Sequence, residues 1–223
     1  MKHFLETLKK RTADFEYAIK DLGYDERNIA TTNYLERMSQ HVHGVIVGLN
    51  KEVATIIDVE NIEPDSSYHL LFEENIYPFF EGADYSRRAK EKPLGYAGDY
   101  EMMNQIYRCS FEGKDLFGKI LHHYTATEIS AQSVYFRRPY FCGHYKRILK
   151  EKPNQDVHVL SLASGPCVEF QQLIAELPQE DLSRLKVTLL DLDPKSLEHA
   201  QSKIYEQCLR YDKTVNIQSV SYT

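Results

Sequence analysis

Apolar positions in the first half of the chain recur at helical spacing. Leu5, Leu8, Thr12, Phe15, Ile19 and Leu22 alternate steps of three and four, which puts them on one face of a helix, and Gly23 is its natural stop. A second stripe, Leu35, Met38, Val42, Val45, Leu49, Val53 and Ile56, predicts one long helix over roughly residues 28 to 58. Gly44 and Gly48 inside it lower its propensity or mark close helix packing. Two long helices with a short link predict an antiparallel hairpin, whose apolar faces serve a core or a dimer interface.

Pro64-Asp65-Ser66 reads as a helix start, for a helix from Ser67 to Phe80. The polar stretch EGADYSRRAKEKPLGYAGD follows, with Asp99 placed to cap the helix YEMMNQIYRCS. Asp115 is placed to cap another helix through LFGKILHHYTATEISAQSVYF, and Pro139 should kink that helix or start a new one, RPYFCGHYKRILKE.

After Pro153 the pattern changes. VHVLSL, KVTLLDL and TVNIQSVSY are strand-like runs separated by the helical patterns VEFQQLIAEL and PKSLEHAQSKIYEQCLRY. This β-α-β-α-β order predicts a parallel sheet. The fold class is therefore α/β, with a helical domain over residues 1–153 and the first part of a parallel sheet over 154–223.

Composition narrows the function classes. Charged residues make up 27% and hydrophobic residues 42%, as in globular proteins. Apolar runs fall far short of the roughly 18 residues of a membrane span, and the N-terminus lacks a signal-peptide core. A cytoplasmic protein with no stable membrane insertion is expected. The net charge of −6 disfavours nucleic acid as a partner. Cys109, Cys142, Cys167 and Cys208 form no CxxC pair and read as reduced, mostly buried thiols. His122-His123 and His41-x-His43 point to different helix faces, so no metal site is expected.

Candidate chemistry starts at VHVLSLASGPCVEF. A strand, a tight turn and a helix N-terminus make a corner where free N–H groups and the helix dipole face a ligand. The turn is Ala163-Ser164-Gly165-Pro166-Cys167. The second strand ends in LLDLDP, and Asp191 lies 26 positions after Gly165, the distance of one helix and one strand. An acid there can accept the ribose hydroxyls of an adenosine-containing ligand; a loop or capping carboxylate is the rival reading.

At these residues the chain resembles class I S-adenosylmethionine-dependent methyltransferases, so the resemblance implies a Rossmann-like sheet. Ser161 stands where the family's first motif has an acid, and Ala163 and Cys167 stand where it has its outer glycines. The resemblance maps the ribose-binding acid onto Asp191, followed by Leu192, and the methionine-end backbone contacts onto Ala163, Ser164 and Gly165. KPLGYAGDYEMMNQIY and AQSVYFRRPYF also resemble a bacterial subgroup involved in 3-hydroxypalmitic acid methyl ester biosynthesis.

The resemblance implies S-adenosylmethionine as cofactor and a small or lipid-like acid as substrate, methylated on its carboxylate. Arg138 or Arg137 would clamp that carboxylate, with Arg138 the choice, since adjacent helical residues cannot both face one site. Tyr96 and Asp99, in a glycine-rich loop, would close over the donor. The family's full sheet has seven strands and this sequence supplies three, so a C-terminally incomplete enzyme region is expected. The first strand would then be an open edge, covered by a homodimer or a partner chain. The alternative is a non-catalytic helical binding or dimerisation module with a vestigial nucleotide-binding fold.

Overall fold

The computed structural model describes residues 1–56 and 67–222. The protein is mixed α/β, mostly helical, with one three-stranded parallel sheet. Contacts divide it into two compact units, Met1–Pro93 with Cys109–Glu128, and Leu94–Arg108 with Ile129–Thr223. The change in sequence pattern at Pro153 and this division differ, because two helices that precede Pro153 pack in the same unit as the sheet.

The first unit is helical. Helix α1 (Lys2–Ala18) and α2 (Tyr24–Ile56) lie antiparallel: Phe15 stacks on Tyr34 at 3.9 Å between ring centroids, and Phe4 meets His41 at 5.9 Å. The first helix ends before Gly23, capped at Ile19, and Gly23 instead offers its carbonyl to Arg27 N–H at the start of α2. The Pro64-Asp65-Ser66 start lies outside the described residues. The expected helix to Phe80 is two helices, α3 (Ser67–Asn75) and α4 (Tyr77–Phe80), because Pro78 supplies no N–H and favours a new first turn. Helix α5 (Asp84–Glu91) follows.

Helix α7 (Leu116–Ala126) is the centre of this unit, with Ile120, Leu121 and His122 fully buried. Asp115 caps it, accepting from Gly118 N–H at 2.7 Å. Gly118 allows the Gly82 carbonyl to lie directly against the helix, since a Cβ at 118 would clash with that backbone.

The helix expected to run from Asp115 to Phe136 stops at Thr127. Its hydroxyl donates to the His123 carbonyl at 2.5 Å, a side-chain bond that competes with the helical ladder. Helix α8 (Ile129–Glu151) then runs through Pro139 without ending there. Pro139 is exposed, so the carbonyl that loses its partner can meet water instead of being orphaned.

The second unit contains α6 (Tyr100–Arg108), α8 and the sheet. Strand β1 (Val157–Leu162) pairs with β2 (Leu185–Asp191), and β2 with β3 (Asn216–Ser221), all parallel, so β2 is central. Between them come α9 (Val168–Glu176), the unanticipated short helix α10 (Gln179–Arg184) and α11 (Pro194–Tyr211).

One core joins Val157, Val187 and Leu189 to Phe170, Leu173 and Ile174 of α9 and Leu197, Ala200 and Ile204 of α11. The alternate residues Leu160 and Leu162 are 60% and 65% exposed. Helices thus cover one face of a sheet type that is usually covered on both. Among the described residues, no helix is long and apolar enough to cross a membrane.

Candidate functional site

The loop after β1 turns sharply at alternate residues. Ala163, Gly165 and Cys167 have φ values of 49°, 56° and 50°, the left-handed region that disfavours side chains. These are the three positions where the sequence resemblance places glycines. The backbone takes that conformation even where Ala163 and Cys167 carry a Cβ, at a cost of about 1–2 kcal/mol each. Cys167 offsets part of it: the side chain is buried and its thiol donates to the Ser164 carbonyl at 3.3 Å.

Asp191 at the end of β2 holds this turn. Its Oδ2 accepts the Gly165 N–H at 2.9 Å and the Ser196 hydroxyl at 3.4 Å, and its Oδ1 accepts the Asp193 N–H at 3.0 Å. Ser164 N–H donates to the Leu190 carbonyl at 3.2 Å. One carboxylate therefore joins the β1 turn to the start of α11. Asp193 caps α11 through Lys195 N–H, and its other oxygen accepts the Tyr96 hydroxyl at 3.0 Å. Burial, and then this bond to Asp193, push the Tyr96 phenol above its usual range.

These groups border a cavity of about 450 Å³, open on one side, at the carboxyl ends of β1 and β2. In open α/β sheets that end is where ligands bind. Tyr96, Ala163, Ser164, Gly165 and Asp191 line it. Ser164 is 9% exposed and its hydroxyl has no hydrogen-bond partner.

Three expected site residues are not on the wall. Asp99 is buried and accepts the N–H groups of Glu101 and Met102, each at 3.0 Å, at the N-terminus of α6. Leu192 is 57% exposed beside the turn. Arg138 lies over the rings of Tyr135 and Tyr107, 5.0 and 5.8 Å from their centroids, while its neighbour Arg137 lines the cavity.

Residues not named individually in the sequence motifs complete the wall, all but Tyr145 lying within the segments that carry the resemblance. Tyr100, Met103 and Tyr107 come from α6, Phe141 and Tyr145 from α8, and Glu169 from the first turn of α9. Burial pushes the Glu169 carboxyl up, opposed by its own backbone N–H and by Arg137. Burial, then the Glu169 charge, raise the phenols of Tyr107 and Tyr145, the latter to about 12. The one sequence signal for Glu169 was its place in the first turn of the helix that follows the glycine.

The expected histidine pairs serve the helical unit. His122 is fully buried and accepts the Tyr85 N–H at 3.1 Å; His123 bonds Ser39 at 2.6 Å and stacks on Phe111. Among the described residues, no group of three or more His, Cys, Asp or Glu side chains is placed to hold a metal ion. Cys142 and Cys167 are buried thiols, and Cys109 is exposed. Comparison of the chain with protein-family models, with curated proteins and with solved structures finds no match to any of them.

Proposed function

We propose that the second unit is the S-adenosylmethionine-binding region of a methyltransferase with a Rossmann-like sheet, and that the enzyme methylates the carboxylate of a small or fatty-acid-like acid. The observation that carries the donor half of this reading is the turn. Residues 163, 165 and 167 have left-handed backbone next to an acidic strand end, on the wall of one cavity. The acceptor half rests on the sequence resemblance.

The residues present fit an adenosine-containing ligand. The cavity volume falls within the roughly 300–1,000 Å³ of small-molecule sites. The Ser164 hydroxyl is buried and unpartnered, as a ligand-facing group would be. Asp191 takes three donors from the protein, and a carboxylate offers about four lone-pair sites. One ribose hydroxyl can therefore be accepted without releasing the turn. Tyr96 and Tyr100 line the same cavity.

When bound, the sulfonium would supply an electrophilic methyl group. The protein's own residues would orient it and exclude water. Tyr96 ties the loop at Leu94–Asp99 to Asp193, and aromatic side chains of α6 and α8 line the cavity. Arg138 is engaged with two tyrosine rings, so Arg137 is the arginine positioned to meet an anionic group. The proposed partner, a second copy or another chain, would seat on the β1 edge beside Leu160 and Leu162, where the strand has a neighbour on one side among the described residues.

Isothermal calorimetry with S-adenosylhomocysteine and with NAD tests the reading. Saturable binding of the first and none of the second is expected. Absence of heat with S-adenosylhomocysteine at about 1 mM contradicts it.

A further inference from the structure

The helical hairpin of the first unit sets two like charges against each other. Phe4 meets His41 and Phe15 stacks on Tyr34, which fixes the antiparallel register of α1 and α2. Arg11 lies between the two α1 residues and Arg37 between the two α2 residues, so this register places them opposite each other. Both line one cavity of about 500 Å³. A second cavity, of about 290 Å³, shares Arg11 and His41 with the first and adds His3.

No Asp or Glu stands on either wall, in a chain whose net charge is −6. Neither guanidinium has an ion-pair or hydrogen-bond partner among the described residues. Burial raises the Tyr34 phenol; Arg11 opposes this, and Glu16 and Asp14 add to it. Those two acids act from outside the walls, and Glu16 is already bonded to the Leu116 N–H at 3.3 Å.

Like charges facing each other repel, and an anion between them replaces that repulsion with two attractions. Guanidinium groups bind both carboxylate and phosphate oxygens in pairs. Two fixed cations with an imidazole beside them exceed what one carboxylate balances, whereas a phosphate monoester carries about −1.5 to −2 charge near pH 7. The rest of the walls is largely apolar, with Phe4, Leu8, Phe15, Met38 and the Tyr34 ring. The Tyr34 hydroxyl is buried without a hydrogen-bond partner, a cost that an oxygen acceptor bound there would remove.

We infer that this groove binds a phosphate monoester, its phosphate between Arg11 and Arg37 and its organic part against the apolar side chains. The site belongs to the first unit and does not depend on the methyl-donor reading. The phosphate has two sources to separate, a small soluble ester or a phosphatidic acid headgroup.

The test is calorimetry on the full chain with phenyl phosphate, inorganic phosphate and benzoate. Phenyl phosphate should bind saturably and at least about fivefold more tightly than either of the others. Arg11→Gln and Arg37→Gln should each weaken it about tenfold, as expected for the loss of a charge-assisted contact. Both side chains are exposed, so neither change opens the core, and thermal melts confirm that the variants fold.

Sedimentation with phosphatidylcholine vesicles, with and without phosphatidic acid, separates the sources. Sedimentation that needs phosphatidic acid and is lost in both variants assigns the phosphate to a lipid, and its absence assigns it to a soluble ester. No saturable heat with phenyl phosphate at about 10 mM overturns the inference. So does equal binding of benzoate or inorganic phosphate, or an affinity for phenyl phosphate unchanged in either variant.

Discussion

The backbone N–H of Gly165 donates to Oδ2 of Asp191 at 2.9 Å, tying the turn after β1 to the end of β2. With Asp193 N–H and the Ser196 hydroxyl on the same carboxylate, Asp191 is a structural clasp as well as a candidate ligand contact. Removing it leaves three donors without their acceptor in a site that is 8% exposed. Asp191→Ala should cost about 3 kcal/mol, seen as a lower midpoint in urea with an unchanged slope. Loss of ligand binding in that variant therefore does not by itself show ribose recognition. A 2′-deoxy analogue tested on the unaltered protein separates the two roles.

The left-handed turn gives a second prediction. Ala163 holds φ at 49° with a side chain that is exposed, so Ala163→Gly relieves backbone strain and empties no core. Against the greater freedom that glycine adds to the unfolded chain, the net gain should be about 0.5–1 kcal/mol. Gly165→Ala meets open space at its Cβ, so its cost is backbone strain alone, about 1 kcal/mol. Thermal melts of the two variants should move in opposite directions. A rise for both would show that the turn relaxes elsewhere.

How much of this was legible in the sequence depends on the range of the interaction. The β-α-β-α-β order and the caps at Asp99 and Asp115 follow from local spacing and from side chains that reach N–H groups two or three residues on. The break at Thr127 was not legible, and at Pro139 the sequence left a continuing helix and a new start both open, since each depends on where one carbonyl finds its partner.

The choice between Arg137 and Arg138 also failed to emerge from sequence. Adjacent helical residues point about 100° apart, and which one faces the cavity is set by how α8 packs on its neighbours. Tyr145 reaches the wall through tertiary packing that no motif carrying the resemblance encodes. The positive φ at Ala163 and Cys167 was signalled only by the resemblance, which has glycines there, because neither residue is itself a glycine.

Glu169 predicts a pH dependence. Its carboxyl is raised from an ordinary 4.5 by burial, so the native state holds this proton more tightly than the unfolded chain. The associated stability is present below about the unfolded value and is lost as pH rises through the raised one. Glu169→Gln removes that loss. The variant should match the parent in melting temperature near pH 4 and exceed it at pH 7. A constant difference across the range would mean that Glu169 is stabilised by a partner in solution.

In the helical unit, Gly118→Ala should be among the costliest single-methyl changes. The added Cβ would press on the Gly82 carbonyl, which is backbone and also accepts Lys114 N–H at 3.0 Å. A loss of about 2–3 kcal/mol is expected, read from chemical denaturation. Gly143→Ala, on α8 with open space around it, should instead gain up to about 1 kcal/mol.

The central claim is that the left-handed turn and the acidic strand end bind an S-adenosyl ligand. Amide chemical-shift mapping with S-adenosylhomocysteine tests it most directly. The claim predicts saturable shifts concentrated at Ala163–Cys167 and Asp191–Asp193. No shift at about millimolar ligand, or shifts confined to residues away from this turn, would contradict it.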